Sequence, residues 1–146
     1  MKALIEAQRN SDIRARYDEK TLTKNEERSA GDVYPFAYGF IIGTETETGE
    51  ALDCYLVSDG NVRIGEQVEC EAIDAFIFYE GEERDIKIIV KEKNKEAIFG
   101  DEDKDRIDLF IKNAFSDHPE LKISIGGLEG KEYADRMIAK YKISEE

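Results

Sequence analysis

The stretch FAYGFIIGTETETGEALDCYLV, Phe36–Val57, reads as two strands joined by a turn. Phe36, Tyr38, Phe40 and Ile42 alternate onto one side of the first strand, following the two-residue period of extended chain. The second strand, ALDCYLV, follows a turn at Thr48-Gly49. Glu45 and Glu47 alternate with Thr44, Thr46 and Thr48, which predicts a polar, solvated strand end. Asp53 is different. Leu52 and Cys54 flank it in the chain, and Ala51 and Tyr55 share its face. Aspartate is disfavoured in strands, and a carboxylate among apolar residues is costly unless something pairs with it. Asp53 therefore needs a partner.

On either side of this stretch the first ninety residues read as β. LIEAQ comes first, then DIRARYD, with Ile13, Ala15 and Tyr17 on one face and Asp12, Arg14, Arg16 and Asp18 on the other. KTLTKNEERSAGD connects that strand to Phe36–Val57, and SDGNVRIGE is a loop carrying an Asp-Gly turn. QVECEAIDAFIFYE and RDIKIIV are strands on either side of a glycine turn. Short strands joined by short loops predict a closed antiparallel barrel. The last third changes period. Ile107, Phe110, Ile111, Ala114 and Phe115 mark an amphipathic helix across KDRIDLFIKNAF, ended by His118-Pro119. LKISI is a short strand, and Ala134, Met137, Ile138 and Tyr141 mark a second helix. KEKNKEAIFGDEDKD reads as a charged loop. The expected class is α+β, a small β-barrel flanked by two C-terminal helices, in one domain over residues 1–146.

A net charge of -13 repels nucleic acid and anionic membranes, and attracts divalent cations. An anionic ligand would need a local basic pocket built against that field. No apolar run has the length of a membrane span, and MKALIEAQRN lacks the apolar core of a signal peptide. A cytoplasmic location is expected. Cys54 and Cys70 sit in strand-like apolar runs without metal-ligand spacing, which predicts buried thiols. The single histidine, His118, is expected at the surface, so a histidine triad or zinc site has nothing to recruit.

In RDIKIIV, Asp85 and Lys87 point away from Ile86, Ile88 and Val90, about 6.5 Å apart along the strand. Arg14 and Arg16 form a similar pair. Each pair alone reads as a solvated face. If the faces converge in a barrel mouth, Asp53 and Asp85 are hard oxygen ligands for Mg²⁺. Arg14, Arg28 and Lys87 would then receive phosphate oxygens. Metal-assisted attack of water on a phosphoanhydride calls for that mixture. Spacing alone does not establish the convergence.

The runs DIRARYDEKTLTKNEER, DVYPFAYGFIIGTETETGEALDCYL and ERDIKIIV resemble soluble inorganic pyrophosphatases of family I. The resemblance is dense from Ile13 to Val90 and includes Tyr34-Pro35-x-x-Tyr38-Gly39. It implies a closed five-stranded OB-like barrel with helices outside, hydrolysis of pyrophosphate with Mg²⁺ (Mn²⁺ as a substitute), and a homo-oligomer. Carried over by position, Glu6 is an active-site glutamate and metal ligand. Arg14 takes the place of a phosphate-binding lysine, and Arg28 is the phosphate-binding arginine. Tyr34 and Tyr38 are the active-site tyrosines. Asp53 is the metal-bridging aspartate, Asp85 a further metal ligand and Lys87 a phosphate lysine. Glu80, or Glu82 or Glu83, supplies the acids of the loop before them. The departures fall at the acidic turn, where Asp-Gly-Asp-Pro-x-Asp is replaced by Thr48-Gly49-Glu50-Ala51-Leu52-Asp53. Thr48 replaces a metal-binding aspartate, and Glu50 replaces the aspartate that helps activate water. Arg16 stands where the family has an acid, and the lysine and tyrosine expected after the first helix are missing near Phe115 and Ser116. Glu50, Asp53 and Tyr38 are thus the catalytic candidates; Arg14, Arg28, Lys87 and Tyr34 bind substrate; Asp53, Asp85, Glu6 and Glu80 bind metal. Two other readings stand beside this one: a non-catalytic barrel that binds a phosphate-bearing ligand or a protein partner, and a hydrolase of another phosphoanhydride.

Overall fold

A computed structural model of the chain describes residues 1–58 and 61–143. The Asp59-Gly60 turn and the tail of the expected domain beyond residue 143 lie outside the described residues. The apolar runs of the first ninety residues form strands β1 (Lys2–Ala7), β2 (Ile13–Tyr17), β3 (Lys24–Ser29), β4 (Ala37–Ile41), β5 (Asp53–Leu56), β6 (Gln67–Glu80) and β7 (Glu83–Glu92). Helix α1 (Asp101–Ala114), strand β8 (Ile123–Leu128) and helix α2 (Lys131–Tyr141) follow.

Among the described residues the strands form one sheet in the order β3-β2-β1-β4-β5-β7-β6-β8, and β1 also pairs with β6. That extra pairing closes β1, β4, β5, β7 and β6 into a five-stranded ring, the OB-like arrangement expected. One pair departs from the all-antiparallel expectation: β5 runs parallel to β7. Parallel neighbours need a crossover, and β6 provides it, carrying the chain away before β7 brings it back. KNEERS, expected to be a connection, forms β3 against β2. It is exposed along its whole length, so it has no apolar alternation to betray it. β4 stops earlier than FAYGFIIGTETE predicts. Thr44 Oγ1 donates to Ile41 O at 2.7 Å and accepts from Leu52 N at 3.0 Å, so a side chain replaces the ladder there. Helix α1 starts earlier than expected, at Asp101. Its acidic first turn (Asp101, Glu102, Asp103) suits the positive end of the helix dipole, and Asp103 Oδ2 accepts from Gly100 N at 3.0 Å. β8 runs on from Ile123 through Gly126-Gly127 to Leu128.

The two faces of the ring bury different residues. Its interior packs Ala3, Ala37, Cys54, Cys70, Ala72 and Ala75 with the aliphatic Ile5, Ile41, Leu52, Leu56, Ile88 and Val90, closed by Ala134 and Tyr141 of α2. Its outer face carries Tyr34, Phe36, Tyr38, Tyr55, Phe76, Phe78 and Ile89, covered by Ile107 and Ile111 of α1. Alternation along β5 and β7 places Cys54 and Ile88 inside, and Tyr55 and Ile89 outside. Asp53 and Lys87 share the parity of Tyr55 and Ile89. The polar faces therefore meet on the outer surface beside α1, not in the barrel mouth, because the interior is already filled with apolar side chains.

The ring closes tightly at Gly39. A Cβ built there would lie 1.9 Å from Leu4 O on β1, and backbone cannot give way as a side-chain tip can. Gly39→Ala should destabilise the protein by about 3 kcal/mol or more, at or above the upper end of ordinary overpacking costs. Urea unfolding measures this; a loss under about 1 kcal/mol would show that β1 and β4 can separate at no great cost.

Candidate active site

The β5–β7 register sets Asp53 beside Lys87, and the β4–β5 register sets Tyr38 beside Tyr55. Lys87 is only 8% exposed. Its Nζ donates to Asp53 Oδ2 at 2.7 Å and to Tyr38 Oη at 2.8 Å, and lies 3.4 Å from Asp85 Oδ1. Lys87 is the partner that Asp53 requires. Burial works against the ammonium, but Asp53, Tyr38 and Asp85 outweigh it and hold the Lys87 pKa well above the usual lysine range. Burial pushes the Tyr38 phenol well up, so its hydroxyl stays neutral.

A β-bulge falls at Glu6: Ile5 pairs with Gly39 and Ala7 with Tyr38, which leaves Glu6 as the extra residue. Glu6 keeps the outer face that alternation from Ala3 and Ile5 gives it, and the bulge brings Ala7 onto that face instead of the interior. Glu6 is 5% exposed. Its Oε2 accepts from Tyr17 N at 3.0 Å and its Oε1 accepts from Arg14 Nη2 at 3.4 Å. Burial raises the Glu6 pKa, partly offset by that backbone bond and by Arg14. The Arg14 guanidinium sits 5.1 Å from the Tyr38 ring centroid, and Arg14 is the cross-strand neighbour of Arg28 on β3.

Two cavities meet at Asp85. One, of about 320 Å³, is lined by Arg14, Arg16, Arg28, Tyr34, Tyr38 and Lys87, with Phe110, Ile111, Ala114 and Phe115 of α1 as its apolar wall. Phe110 packs on Tyr34 with ring centroids 4.6 Å apart, fixing the helix to the site. The other, of about 480 Å³, is lined by Thr48, Glu50, Asp53, Glu80, Glu83 and Asp85, with Glu47 and Tyr141 at its edge. The anticipated phosphate-binding residues thus share the first cavity. The anticipated acids Glu50, Asp53, Glu80 and Asp85 share the second. Glu6 lines neither and instead stands against Arg14. Glu82 is absent from the acidic lining, whereas Glu83 is part of it.

A family model described as inorganic pyrophosphatase matches residues 3–143. The chain belongs to that family. It is 28% identical to an inorganic pyrophosphatase of Nanoarchaeum equitans, over 93% of this chain and 91% of the relative. It is 27% identical to one from Aeropyrum pernix, over 95% and 88%. The solved inorganic pyrophosphatase of Helicobacter pylori superposes with a TM-score of 0.84 at 22% identity, covering 97% of this chain and 90% of that one. That last likeness establishes the fold.

Inorganic pyrophosphatases generally use divalent metal ions. The oxygen donors Glu50, Asp53, Glu80 and Asp85 suit a hard dication. In this structure the positive charge between Asp53 and Asp85 is the Lys87 ammonium, and no three acidic, histidine or cysteine side chains among the described residues converge on one point. Glu47 is exposed, as expected. Tyr141 Oη donates to its carboxylate at 2.6 and 2.7 Å, which holds it at α2 rather than at the place of Thr48. Phe115 lines the first cavity with Phe110, Ile111 and Ala114, so α1 contributes no cation to its lining. Sequence reasoning missed Glu19. Its Oε1 accepts from Ala51 N at 2.9 Å across 32 residues of chain, and no local pattern announces a contact of that range.

Burial raises the pKa of Glu6, Glu19 and Asp85. A carboxyl raised in the folded state binds its proton more tightly folded than unfolded. Its stabilisation is complete below the ordinary carboxyl range near ~4 and is lost as pH climbs through the raised value. The exposed acids Asp18, Glu47 and Glu71 are shifted down and act below that window. In EDTA, the melting temperature should therefore fall as pH rises above about 4. The net charge of -13 acts in the same direction, so a variant carries the test. Glu6→Gln should show a shallower fall in thermal melts across pH; a slope equal to wild type would remove Glu6 as a contributor.

Proposed function

We propose that this chain hydrolyses inorganic pyrophosphate to two phosphates with Mg²⁺, with Mn²⁺ able to substitute. The observation that carries the reading is the shared wall at Asp85, which joins a cationic cavity to an acidic one. Phosphoryl transfer relies on positioning and charge neutralisation more than on covalent help from the protein. The cationic side offers Arg14, Arg28 and Lys87. Arg14 Nε is buried and has no hydrogen-bond partner among the described residues. Leaving such a donor unmet costs about 1–3 kcal/mol, and a phosphoryl oxygen in the cavity is the acceptor it lacks. Arg14 and Arg28 then grip the anion from neighbouring strands, and Tyr34 and Tyr38 present neutral phenols to it. Burial pulls the Arg14 pKa down, but Tyr38, Tyr34, Glu6 and Asp53 outweigh it, so the clamp stays charged.

On the acidic side Asp53, Asp85, Glu50 and Glu80 line one cavity and would draw together to hold the cation, with Glu6 anchoring Arg14 close by. When bound, a divalent cation neutralises phosphoryl charge and makes nearby water more acidic. Glu50, on the turn that lines this cavity, would take a proton from the attacking water. The water oxygen bonds to one phosphorus, the bridging P–O bond breaks, and the second phosphate leaves with the bridging oxygen. The named relatives and the retained charges weigh against a non-catalytic barrel. We further propose that the chain acts as one domain, as a homo-oligomer, in the cytoplasm. Neither described helix is long and apolar enough to cross a membrane, and Cys54 and Cys70 are both buried in the ring.

Phosphate release from pyrophosphate in Mg²⁺, and its absence in EDTA, is the direct test. Millimolar Mg²⁺ should also raise the melting temperature by mass action, and Asp53→Asn should remove most of that rise. Equal responses from wild type and Asp53→Asn would place the cation elsewhere. On the anion side the two arginines should differ in weight. Arg14→Ala should weaken pyrophosphate binding by about 1.5–3 kcal/mol, the range for a partly buried charge-assisted bond. The Arg28 side chain is 63% exposed, so Arg28→Ala should cost about 1 kcal/mol or less. Calorimetry giving the reverse order would reassign the clamp.

A further inference from the structure

Resting on the pyrophosphatase reading, we propose that Glu19 is a positioning residue for the acidic turn, acting on Glu50 and Asp53 through the Ala51 peptide. The turn has few holds of its own. Inside it, Thr46 N donates to Glu50 O at 2.7 Å, Gly49 N donates to Thr46 O at 3.0 Å, and the Thr46 and Thr48 hydroxyls lie 3.0 Å apart. These bonds shape the turn, and Tyr141 of α2 holds its leading side through Glu47; the following side, which carries Glu50 and Asp53, needs a hold of its own. From Ala51 to Asp53 the chain passes from the turn into β5, and two side chains meet its amides. Glu19 Oε1 takes Ala51 N at 2.9 Å and Thr44 Oγ1 takes Leu52 N at 3.0 Å. Thr44 belongs to the same hairpin. Glu19 ties the turn to the β2–β3 connection, a separate part of the chain.

That connection is rigid enough to serve as an anchor. Asp18 Oδ1 accepts from Lys20 N at 2.9 Å and from Thr21 N at 2.8 Å. Asp18 N donates to Thr23 O at 2.8 Å, and Leu22 N donates to Asp18 O at 2.8 Å. The half-buried Glu19 carboxylate is held among like charges, since Asp53, Glu50 and Glu6 all act against its ionised form. A neutral acceptor would avoid this repulsion. A carboxylate makes the stronger bond to an amide, and the catalytic acids gain a fixed position from it. Glu50 adjoins the bonded residue and Asp53 lies just beyond it, so a slack turn would move both.

Three variants test this, each read by turnover at saturating Mg²⁺ and by the Mg²⁺-induced rise in melting temperature. Glu19→Ala removes the bond and should lower kcat roughly ten- to hundredfold, the scale of a misplacement near 1 Å. Its melting temperature in EDTA should change little, because relief of repulsion offsets the lost bond, while the Mg²⁺-induced rise shrinks. Glu19→Gln keeps an acceptor and should recover most of both losses. Glu19→Asp keeps the charge on a shorter arm, should behave like the alanine variant, and serves if the alanine variant does not fold. Wild-type kcat and metal response in Glu19→Ala would overturn the proposal. So would a glutamine variant as impaired as alanine, or a lower melting temperature with kcat and metal response intact. If wild type releases no phosphate yet its melting temperature rises with Mg²⁺, the pyrophosphate reading fails while the metal response still judges Glu19. A wild type with neither response overturns both.

Discussion

The Lys87 ammonium, held between Asp53, Asp85 and Tyr38, is the interaction on which the site depends. A lysine this buried would shed its proton without partners, and Asp53 would be an unpaired carboxylate on an apolar strand. Together they satisfy one another and tie β4, β5 and β7 at one point. The pair exists because β5 and β7 run parallel in a register that sets Asp53 beside Lys87. A one-residue slip would turn one of them into the ring's interior and bring an apolar side chain out. Burial of both strand faces penalises such a slip, so the hydrophobic core enforces the geometry of the charged cluster beside it.

Aliphatic residues inside and large aromatics outside give the ring its asymmetry. The interior is filled by alanines, cysteines and branched aliphatic side chains. The outer face is built of tyrosines and phenylalanines, and α1 covers only part of it. What α1 leaves open, together with the β2–β3 hairpin and the acidic turn, becomes the pair of cavities. Two local irregularities complete the site. The bulge at Glu6 brings Ala7 onto the outer face beside Tyr38, and Gly39 lets β1 approach β4 closely enough for the ring to shut.

The acidic turn departs from the family pattern at Thr48 and Glu50, and Arg16 departs on β2. Arg16 is paired with Glu26 on β3 at 3.5 Å, so its charge is answered across the strands rather than within the site. Glu19 brings a carboxylate to the turn from the β2–β3 connection. The following side of the turn thus has a hold outside its own hairpin.

Much of this was legible in the chain itself. Alternation in FAYGFII and RDIKIIV marks strands, and the spacing from Ile107 to Phe115 marks a helix, because both signals arise from neighbours that share a face. Asp53 advertised its need for a partner, since its own neighbours are apolar. The Tyr34 to Gly39 motif and the resemblance around it named the family and most of the charged residues that line the two cavities. What the chain alone could not decide is what depends on register and on contacts far apart in sequence. KNEERS has no buried face, so only its pairing with β2 makes it a strand. The parallel pairing of β5 with β7 turned Asp53 and Lys87 outward together, and the bulge at Glu6 broke the parity that alternation predicts. Glu19 meets Ala51 across 32 residues. Local periodicity reports which face a side chain takes relative to its neighbours in sequence; only the closed ring decides which distant side chains that face will meet.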